Sequence, residues 1–384
     1  MRILHISDLH IGRRLCAIPL DEDIQYMLDK VLDLAQKRQV DAIVVAGDVY
    51  DSPVPSEAAV RIWNEFLQRV AALEIKLLVV SGNHDSGPRL GCGASLMDDK
   101  GIYISGDLTA DISPVVVDGI NFWLVPFVRP SQVRAWADEL GLDSTSVTSY
   151  DSAFGLICSY IYERPEFANH KNVLIAHQFI TWAGRSPETS DSERMSLGTL
   201  DNIDAGHLMK FDYVALGHIH RPQQIGADYI RYAGSPLKLS SSEVRYKKSF
   251  TLVDIDEQGC SFELCEFEPW RDYRIESGSL DQLLVKAAEE DENRSQDFIS
   301  AVIVDDEQTD AMAKLRRYWP NLVEMSFDNA QTRALGVEDA TEEIELIDSY
   351  EDLFDTFFQA QAGRSMNQCE MDILANVLEE MGKE

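Results

Sequence analysis

The sequence predicts an α/β protein built on a buried, largely parallel sheet, with a second sheet beside it and a small α+β unit behind. Three observations carry that expectation. Short apolar runs of strand length alternate with amphipathic stretches through the first two-thirds of the chain, the order that builds strand–helix–strand units. The strand runs are apolar at nearly every position, as strands buried on both faces are. Chemistry-bearing residues fall just beyond the ends of those runs, where ligands bind in open α/β sheets.

The elements follow in order. Strands are expected at Arg2–Ile6, Ala42–Ala46, Lys76–Val80, Phe122–Val125, Val173–Ala176, Tyr213–Leu216, Ile230–Ala233 and Phe250–Ile255. A helix is predicted at Asp23–Gln36, where Ile24, Met27, Leu28, Val31, Leu32 and Ala35 form one stripe. A second, at Ser56–Leu73, is opened by Pro55. The hairpin-like runs after residue 213 suggest that the second sheet is the more antiparallel one.

The character changes near Glu268–Trp270. A helix at Leu280–Glu290, a strand at Phe298–Val304, a helix at Thr309–Trp319 and a strand near Val323–Phe327 describe a compact α+β unit. An acidic linker and two short helices come last. Ser349 and Asp352 have the spacing of a capping box, ahead of the stripe Leu353, Phe354, Phe357 and Phe358, and Gly363 ends that helix. Met371, Leu374, Val377, Leu378 and Met381 stripe the other. Two such helices are too short to bury a core of their own, so they either pack back on their domain or dock on a partner. The expected division is therefore 1–268, 269–335 and 336–384.

The chain has 384 residues, 45% of them hydrophobic and 26% charged, an ordinary globular composition. No apolar run approaches the ~18 residues of a membrane span, and the N-terminus lacks the apolar core of a signal peptide. Cys16, Cys92, Cys158, Cys260, Cys265 and Cys369 form no C-x-x-C pair. Such usage fits a reducing cytoplasm. The net charge of −32 argues against a broad basic face for nucleic acid. The acidity is densest at the end, with 14 acidic against 2 basic residues in 336–384. A polyanionic substrate would have to be held by metal ions or by a partner.

Five motifs sit where strands run out: Asp8-x-His10, Gly47-Asp48, Gly82-Asn83-His84-Asp85, His177, and Gly217-His218-x-His220. Five of the eight histidines fall among them. In extended backbone, residues i and i+2 project to the same side, so Asp8 and His10 can converge on one ion, and His218 can lie beside His220. Asp48 has two oxygens with which to bridge a pair of ions about 3.5–4 Å apart. Asn83 and His84, being adjacent, point apart. Imidazole, carboxylate and amide ligands together suit Mn, Fe or Zn better than Ca. The glycines before the ligands permit tight turns and close approach. His5, inside a strand, and His170 and His207, in loops, are expected to be structural. Arg13, Arg14, Arg89, Arg185, Arg245, Lys247 and Lys248 lie near the predicted rim and are candidates for positioning phosphate.

D-x-H, G-D, G-N-H-D, a lone His and G-H-x-H, in this order, resemble the calcineurin-like metallophosphoesterase superfamily. The strings Ile6-Ser-Asp-Leu-His-Ile-Gly12, Val45-Ala-Gly-Asp-Val-Tyr-Asp51, Ala215-Leu-Gly-His-Ile-His220 and Tyr232-Ala-Gly-Ser-Pro236 are most similar to its SbcD-type nuclease family. The resemblance is clear over 1–268 and weaker beyond. It implies a four-layer α/β/β/α sandwich with an α+β capping domain. It also implies a Mn-dependent nuclease, a double-strand exonuclease and single-strand endonuclease serving DNA repair, recombination and replication. Two Mn²⁺ ions are implied, with Mg²⁺, Fe or Zn as alternatives. Asp8, His10, Asp48 and His220 would hold one ion, and Asp48, Asn83, His177 and His218 the other. Protonated His84 would stay off the metals and either stabilise the transition state or donate to the leaving group, and Asp85 would orient its ring. Asp51 stands where some relatives carry a second active-site histidine. An SbcC-like ATPase would bind the C-terminal helices, and a homodimer would form through Pro55–Leu73 or Leu90–Asp99. The competing reading is a metallophosphoesterase of small-molecule or protein phosphate esters, and a scaffold that had lost catalysis is the third. The extra α+β unit disfavours the one, and the complete ligand set disfavours the other.

Overall fold

The computed structural model describes residues 1–109, 111–168, 170–193, 202–305 and 310–328, together with Met366 and Met371. The predicted helix pair at 349–381 and its acidic linker lie outside this set, those two methionines apart. In chain order the principal elements are β1 (Arg2–Ile6), α1 (Asp21–Lys37), β2 (Ala42–Ala46), α2 (Glu57–Ala72), β3 (Lys76–Val80), β4 (Ile102–Ser105), β5 (Val115–Val117), β6 (Ile120–Val125), α3 (Pro130–Leu140), α4 (Tyr150–Tyr162) and β7 (Lys171–His177). Then follow β8 (Tyr213–Gly217), β9 (Gln223–Ile225), β10 (Ala227–Tyr232), β11 (Ser249–Asp256), β12 (Gly259–Glu266), β13 (Tyr273–Gly278), α5 (Leu280–Glu289), β14 (Phe298–Ile303), α6 (Ala311–Leu315) and β15 (Leu322–Phe327).

Two six-stranded sheets form the body. The first runs β12-β11-β1-β2-β3-β4 and the second β9-β10-β8-β7-β6-β5. In the first, β1, β2, β3 and β4 are parallel, and β11 and β12 form an antiparallel edge. In the second, β10, β8, β7 and β6 are parallel, and β9 and β5 at the margins run the other way. The expectation of a more antiparallel second sheet is therefore corrected. The 250–255 run joins the first sheet beside β1, and β8 pairs in parallel with both β7 and β10. An apolar run carries no mark of its direction; the connection decides it.

Side-chain alternation turns the sheets into four layers. Leu4, Ile6, Ile43, Val45, Leu77 and Val79 face α1 and α2, packing on Met27, Val31, Trp63 and Phe66. The alternate residues Ile3, Ala42, Val44, Leu78 and Val80 face the other sheet and meet Phe122, Val173, Ile175 and Ala215. Beyond that sheet, Trp123, Leu174 and Val214 pack on Val133, Trp136, Phe154 and Ile157 of α3 and α4. The architecture is the α/β/β/α sandwich, and the central strands of each sheet are buried on both faces.

The helix starts follow their caps. Ser56 accepts from the Ala59 amide at the head of α2. α1 begins at Asp21, two residues before the predicted start. Its head has no side-chain cap, but Asp21, Glu22 and Asp23 sit in the first turn, where the helix dipole favours them. The third sheet, β13-β14-β15, contributes Tyr273, Phe298 and Val323 to the core above α1. There Arg271 Nε donates to the buried Asp23 at 3.0 Å. Among the described residues no helix is long and apolar enough to cross a membrane.

His5 lies in β1 between the two sheets, its Nδ1 2.9 Å from the Tyr213 hydroxyl. Burial is the main force on its pKa and pushes it down to about 3. The folded chain thus refuses a proton that the unfolded chain takes up below pH ~6.5, so stability falls as pH falls. Between about pH 5.5 and 4 the expected loss from this residue is ~1.4 kcal/mol per pH unit. Urea midpoints of chelator-treated protein across that window should show the slope reduced by about one proton in His5→Gln. An unchanged slope would mean that His5 is protonated in the fold.

Candidate dinuclear metal centre

The site forms where the two parallel sheets end on the same side. Asp8 and His10 follow β1, Asp48 follows β2, Asn83 and His84 follow β3, His177 closes β7, and His218 and His220 follow β8. All seven predicted ligands come together. Asp8, His10, Asp48, His177, His218 and His220 are buried, as is His84.

Two groups of donors share Asp48. In one, His10 Nε2 lies 3.2 Å from His220 Nε2 and 3.8 Å from Asp48 Oδ2. Asp8 joins His10 and His220 closely enough for the three to surround one ion. In the other, Asn83 Oδ1 lies 2.9 Å from His177 Nε2 and 3.0 Å from His218 Nδ1. His177 Nε2 is 3.3 Å from Asp48 Oδ2. His218 and His220 therefore serve different groups.

The route to this convergence differs from the expected one. Asp8 (φ 53°), His10 (φ 45°), Asp48 (φ 48°) and His218 (φ 102°) all have left-handed backbone, which non-glycine residues seldom adopt. The ligands sit just past the strands, and strained turns aim them. Backbone strain of this kind costs on the order of 1–3 kcal/mol per residue and gathers at functional sites.

Space around the site is taken up by backbone. A Cβ on Gly82 would lie 2.1 Å from Asp48 Oδ1, and one on Gly217 would lie 1.9 Å from the Ala46 carbonyl. Any side chain at either position would fill the cradle in which the donors meet. A donor set of imidazole nitrogens, carboxylate oxygens and one amide oxygen suits a divalent transition metal. The residues present fit a pair of such ions.

The electrostatics agree. Burial alone would raise Asp48, but His177, His10 and His84 around it hold its carboxyl well below the usual range. Burial works against a charged His177 too, yet Asp48 raises it to about 9. For His218, burial and then the His177 charge push the pKa down to about 3, leaving a neutral imidazole. The Asp48 carboxylate is thus offset by a protonated His177, a positive charge whose place a bound cation could take.

The structure replaces one expected contact. His84 donates its backbone N–H to Asp48 Oδ1 at 2.8 Å, and its Nδ1 is 3.0 Å from the Asp51 carbonyl. Asp85, expected to orient the His84 ring, instead accepts from the amides of Val49 (3.1 Å), Tyr50 (2.8 Å) and Gly82 (2.9 Å). It ties the loop after β2 to the loop after β3. Burial and the charge of Asp48 raise its pKa to about 6. The group at His84 Nδ1 is the carbonyl of Asp51. The Asp51 carboxylate lies 3.3 Å from His10 Nδ1 and 3.0 Å from Arg13.

Among the candidate cations, Lys248 is excluded from a phosphate role. It is buried, with Nζ 2.5 Å from Glu243, 2.7 Å from the Ser235 hydroxyl and 2.9 Å from the His220 carbonyl. Arg13 pairs with Asp51, Arg14 donates to the Ala17 carbonyl, Arg89 donates to the Pro53 carbonyl and Lys247 pairs with Glu266. Arg185 and Arg245 are exposed. Sequence reasoning missed Arg129, whose guanidinium lies 5.7 Å from the centroid of Phe127, which itself sits edge-on to His177. It also missed Ser192, Glu193 and Glu243, which surround His220. The three other histidines lie outside the donor groups: His5 is in the core, His170 is exposed before β7, and His207 pairs with Asp151 at 3.0 Å.

Residues 1–222 match the family model described as calcineurin-like phosphoesterase. Residues 269–362 match the SbcD_C model, described as the type 5 capsule protein repressor C-terminal domain. The chain is 30% identical over 337 residues to the SbcD subunit of nuclease SbcCD from Staphylococcus epidermidis, spanning 86% of this chain and 87% of that one. It is 28% identical over 398 aligned positions to the protein of the same name from Staphylococcus saprophyticus, across the whole of both. With the phosphoesterase match covering more than half of the chain and the nuclease likeness running nearly end to end, the protein belongs to the calcineurin-like phosphoesterase family, among its SbcD nuclease subunits, and is a metal-dependent hydrolase.

Proposed function

We propose that the chain is a Mn-dependent DNA nuclease, a double-strand exonuclease and single-strand endonuclease, that processes DNA ends and hairpins in the cytoplasm as one subunit of an SbcC–SbcD-like complex. The observation that carries this reading is the gathering of seven donors from five strand ends around a shared aspartate. Asp8, His10, Asp48 and His220 hold one ion, and Asp48, Asn83, His177 and His218 the other. When bound, two such ions supply Lewis acidity that activates water and neutralises charge on a phosphodiester.

The chain's own residues do the rest. Asp48 keeps a negative charge between the two donor groups. The His84 ring is held at Nδ1 by the Asp51 carbonyl, which leaves Nε2 unengaged by that contact, and its centroid lies 4.9 Å from that of His10. From there a proton on Nε2 can be given to the leaving oxygen. Asp85 fixes the two loops that carry Asp48 and His84. With a chain charge of −32, attraction of DNA is local to this centre.

Residues 1–268 are the catalytic domain in this reading, 269–335 a cap that positions DNA, and 336–384 the docking segment for an SbcC-like ATPase. Two copies associate through Pro55–Leu73 or Leu90–Asp99. Removing residues 345–384 is expected to spare Mn-dependent cleavage and abolish co-purification with the ATPase. Retained binding would end the docking proposal.

The function is tested by metal analysis of the purified protein alongside cleavage of linear duplex DNA, hairpin DNA and a bis-aryl phosphate. Two equivalents of metal and Mn-stimulated cutting of DNA ends and hairpins are expected. Turnover of the aryl ester with DNA left intact would favour a small-molecule phosphoesterase.

A further inference from the structure

Behind His220, at its Nδ1 edge, lies a polar cluster of Ser192, Glu243 and Lys248. Glu243 is fully buried. Its Oε2 pairs with the buried Lys248 at 2.5 Å, and its Oε1 accepts a short hydrogen bond from the Ser192 hydroxyl. Ser192 Oγ lies 2.7 Å from His220 Nδ1, and Glu243 Oε1 is 3.4 Å from the same nitrogen. The backbone of His220 is gripped as well. Its N–H donates to Glu193 at 2.6 Å, and its carbonyl accepts from Lys248 at 2.9 Å.

Counting protons decides the direction of this chain of hydrogen bonds. A serine hydroxyl has one hydrogen, and a carboxylate only accepts, so the Ser192 hydrogen goes to Glu243. Ser192 then offers only lone pairs to His220, and the ring must carry its proton on Nδ1. Nε2, 3.2 Å from His10 Nε2, is thereby the nitrogen that faces the first donor group. Lys248 compensates the charge of Glu243, which could not otherwise stay ionised in a dry interior.

We propose that Ser192, Glu243 and Lys248 are positioning residues that fix the His220 tautomer and ring direction, so that Nε2 is preorganised to bind a divalent cation. This rests on His220 being a ligand, as proposed above. Partners that orient metal-binding histidines typically contribute 10–100-fold in affinity. Ser192 and Lys248 each lie 28 residues from His220, and Glu243 lies 23 away. All three are of types common on surfaces, so no motif announces them.

The test uses the full chain. Nitrogen-15 NMR of metal-free protein, at a pH where the His220 ring is neutral, should show it as the Nδ1–H tautomer, a readout that a merely structural cluster would not set. Calorimetric Mn²⁺ titration should give about tenfold weaker binding at one site for Ser192→Ala, and about 10–100-fold for Glu243→Gln with Lys248→Met. The double change removes both charges together, and Ser192→Ala alone decides the matter if the double variant does not fold. His220→Asn separates the two ideas. If it weakens Mn²⁺ binding while both relay variants bind like the parent, the relay is wrong and the ligand stands. If His220→Asn binds Mn²⁺ unchanged, the ligand assignment fails and the relay falls with it. An Nε2–H tautomer in the parent would also overturn the proposal.

Discussion

Asp48→Asn should empty the metal centre and silence the enzyme together. Asp48 belongs to two of the three donor groups and lies within 3.8 Å of His10 and 3.3 Å of His177. Asparagine keeps the shape, and its amide oxygen can still accept from the His84 amide, so the loop contact survives. What is lost is the charge placed to face both donor groups. Cations at such a centre contribute several kcal/mol to the barrier, so activity should fall by about three powers of ten or more. Elemental analysis should find metal much reduced, and a thermal melt of chelator-treated protein should shift little. A variant that retained two equivalents of metal would refute the bridging role.

His84→Ala should do the opposite to the metal and nearly the same to the rate. The proposed roles put His84 off the ions, with its ring set by the Asp51 carbonyl and its backbone N–H bound to Asp48. Alanine preserves that N–H, so the aspartate stays in place and two equivalents of metal should remain. Turnover on DNA should drop ~10²–10⁴-fold, the range for a positioned proton donor. A diester with an activated aryl leaving group needs less help from an acid and should lose less. His84 also stands close enough to His10 and Asp48 for the three to surround an ion. Loss of metal in the alanine variant would therefore make His84 a ligand and remove it as the acid.

Four of the six strands of the first sheet, β1, β2, β3 and β11, are legible in the apolar pattern of the chain, and β4 and β12 are not. β1, β2 and β3 have the bounds read from their apolar runs, because strands buried on both faces are continuous in sequence and end abruptly at polar turns. The site motifs are legible for the same reason, as each interrupts such a run with residues that a core would reject. Strand direction is not. The 250–255 run joins the first sheet, and β8 pairs in parallel on both sides. The pattern also passes over helices α3 and α4, and β12, with exposed Phe262 and Leu264, has no clean alternation to read.

The site is legible in composition and not in mechanics. Asp8 and His10 converge through left-handed backbone, where the i, i+2 spacing alone suggests an extended one. Asp85 reads as a partner for its neighbour His84, yet its oxygens face amides that include two from another loop. Lys248 reads as a surface cation and lies buried against Glu243.

Which chemistries the chain carries, and in what order, is written locally, as ligand types at the ends of apolar runs. Folding alone settles which nitrogen of each imidazole faces the other donors, which carbonyl holds His84 and which carboxylate stands behind His220. Those are relations between atoms far apart in the chain. They arise when two sheets pack face to face, and no spacing along one strand encodes them.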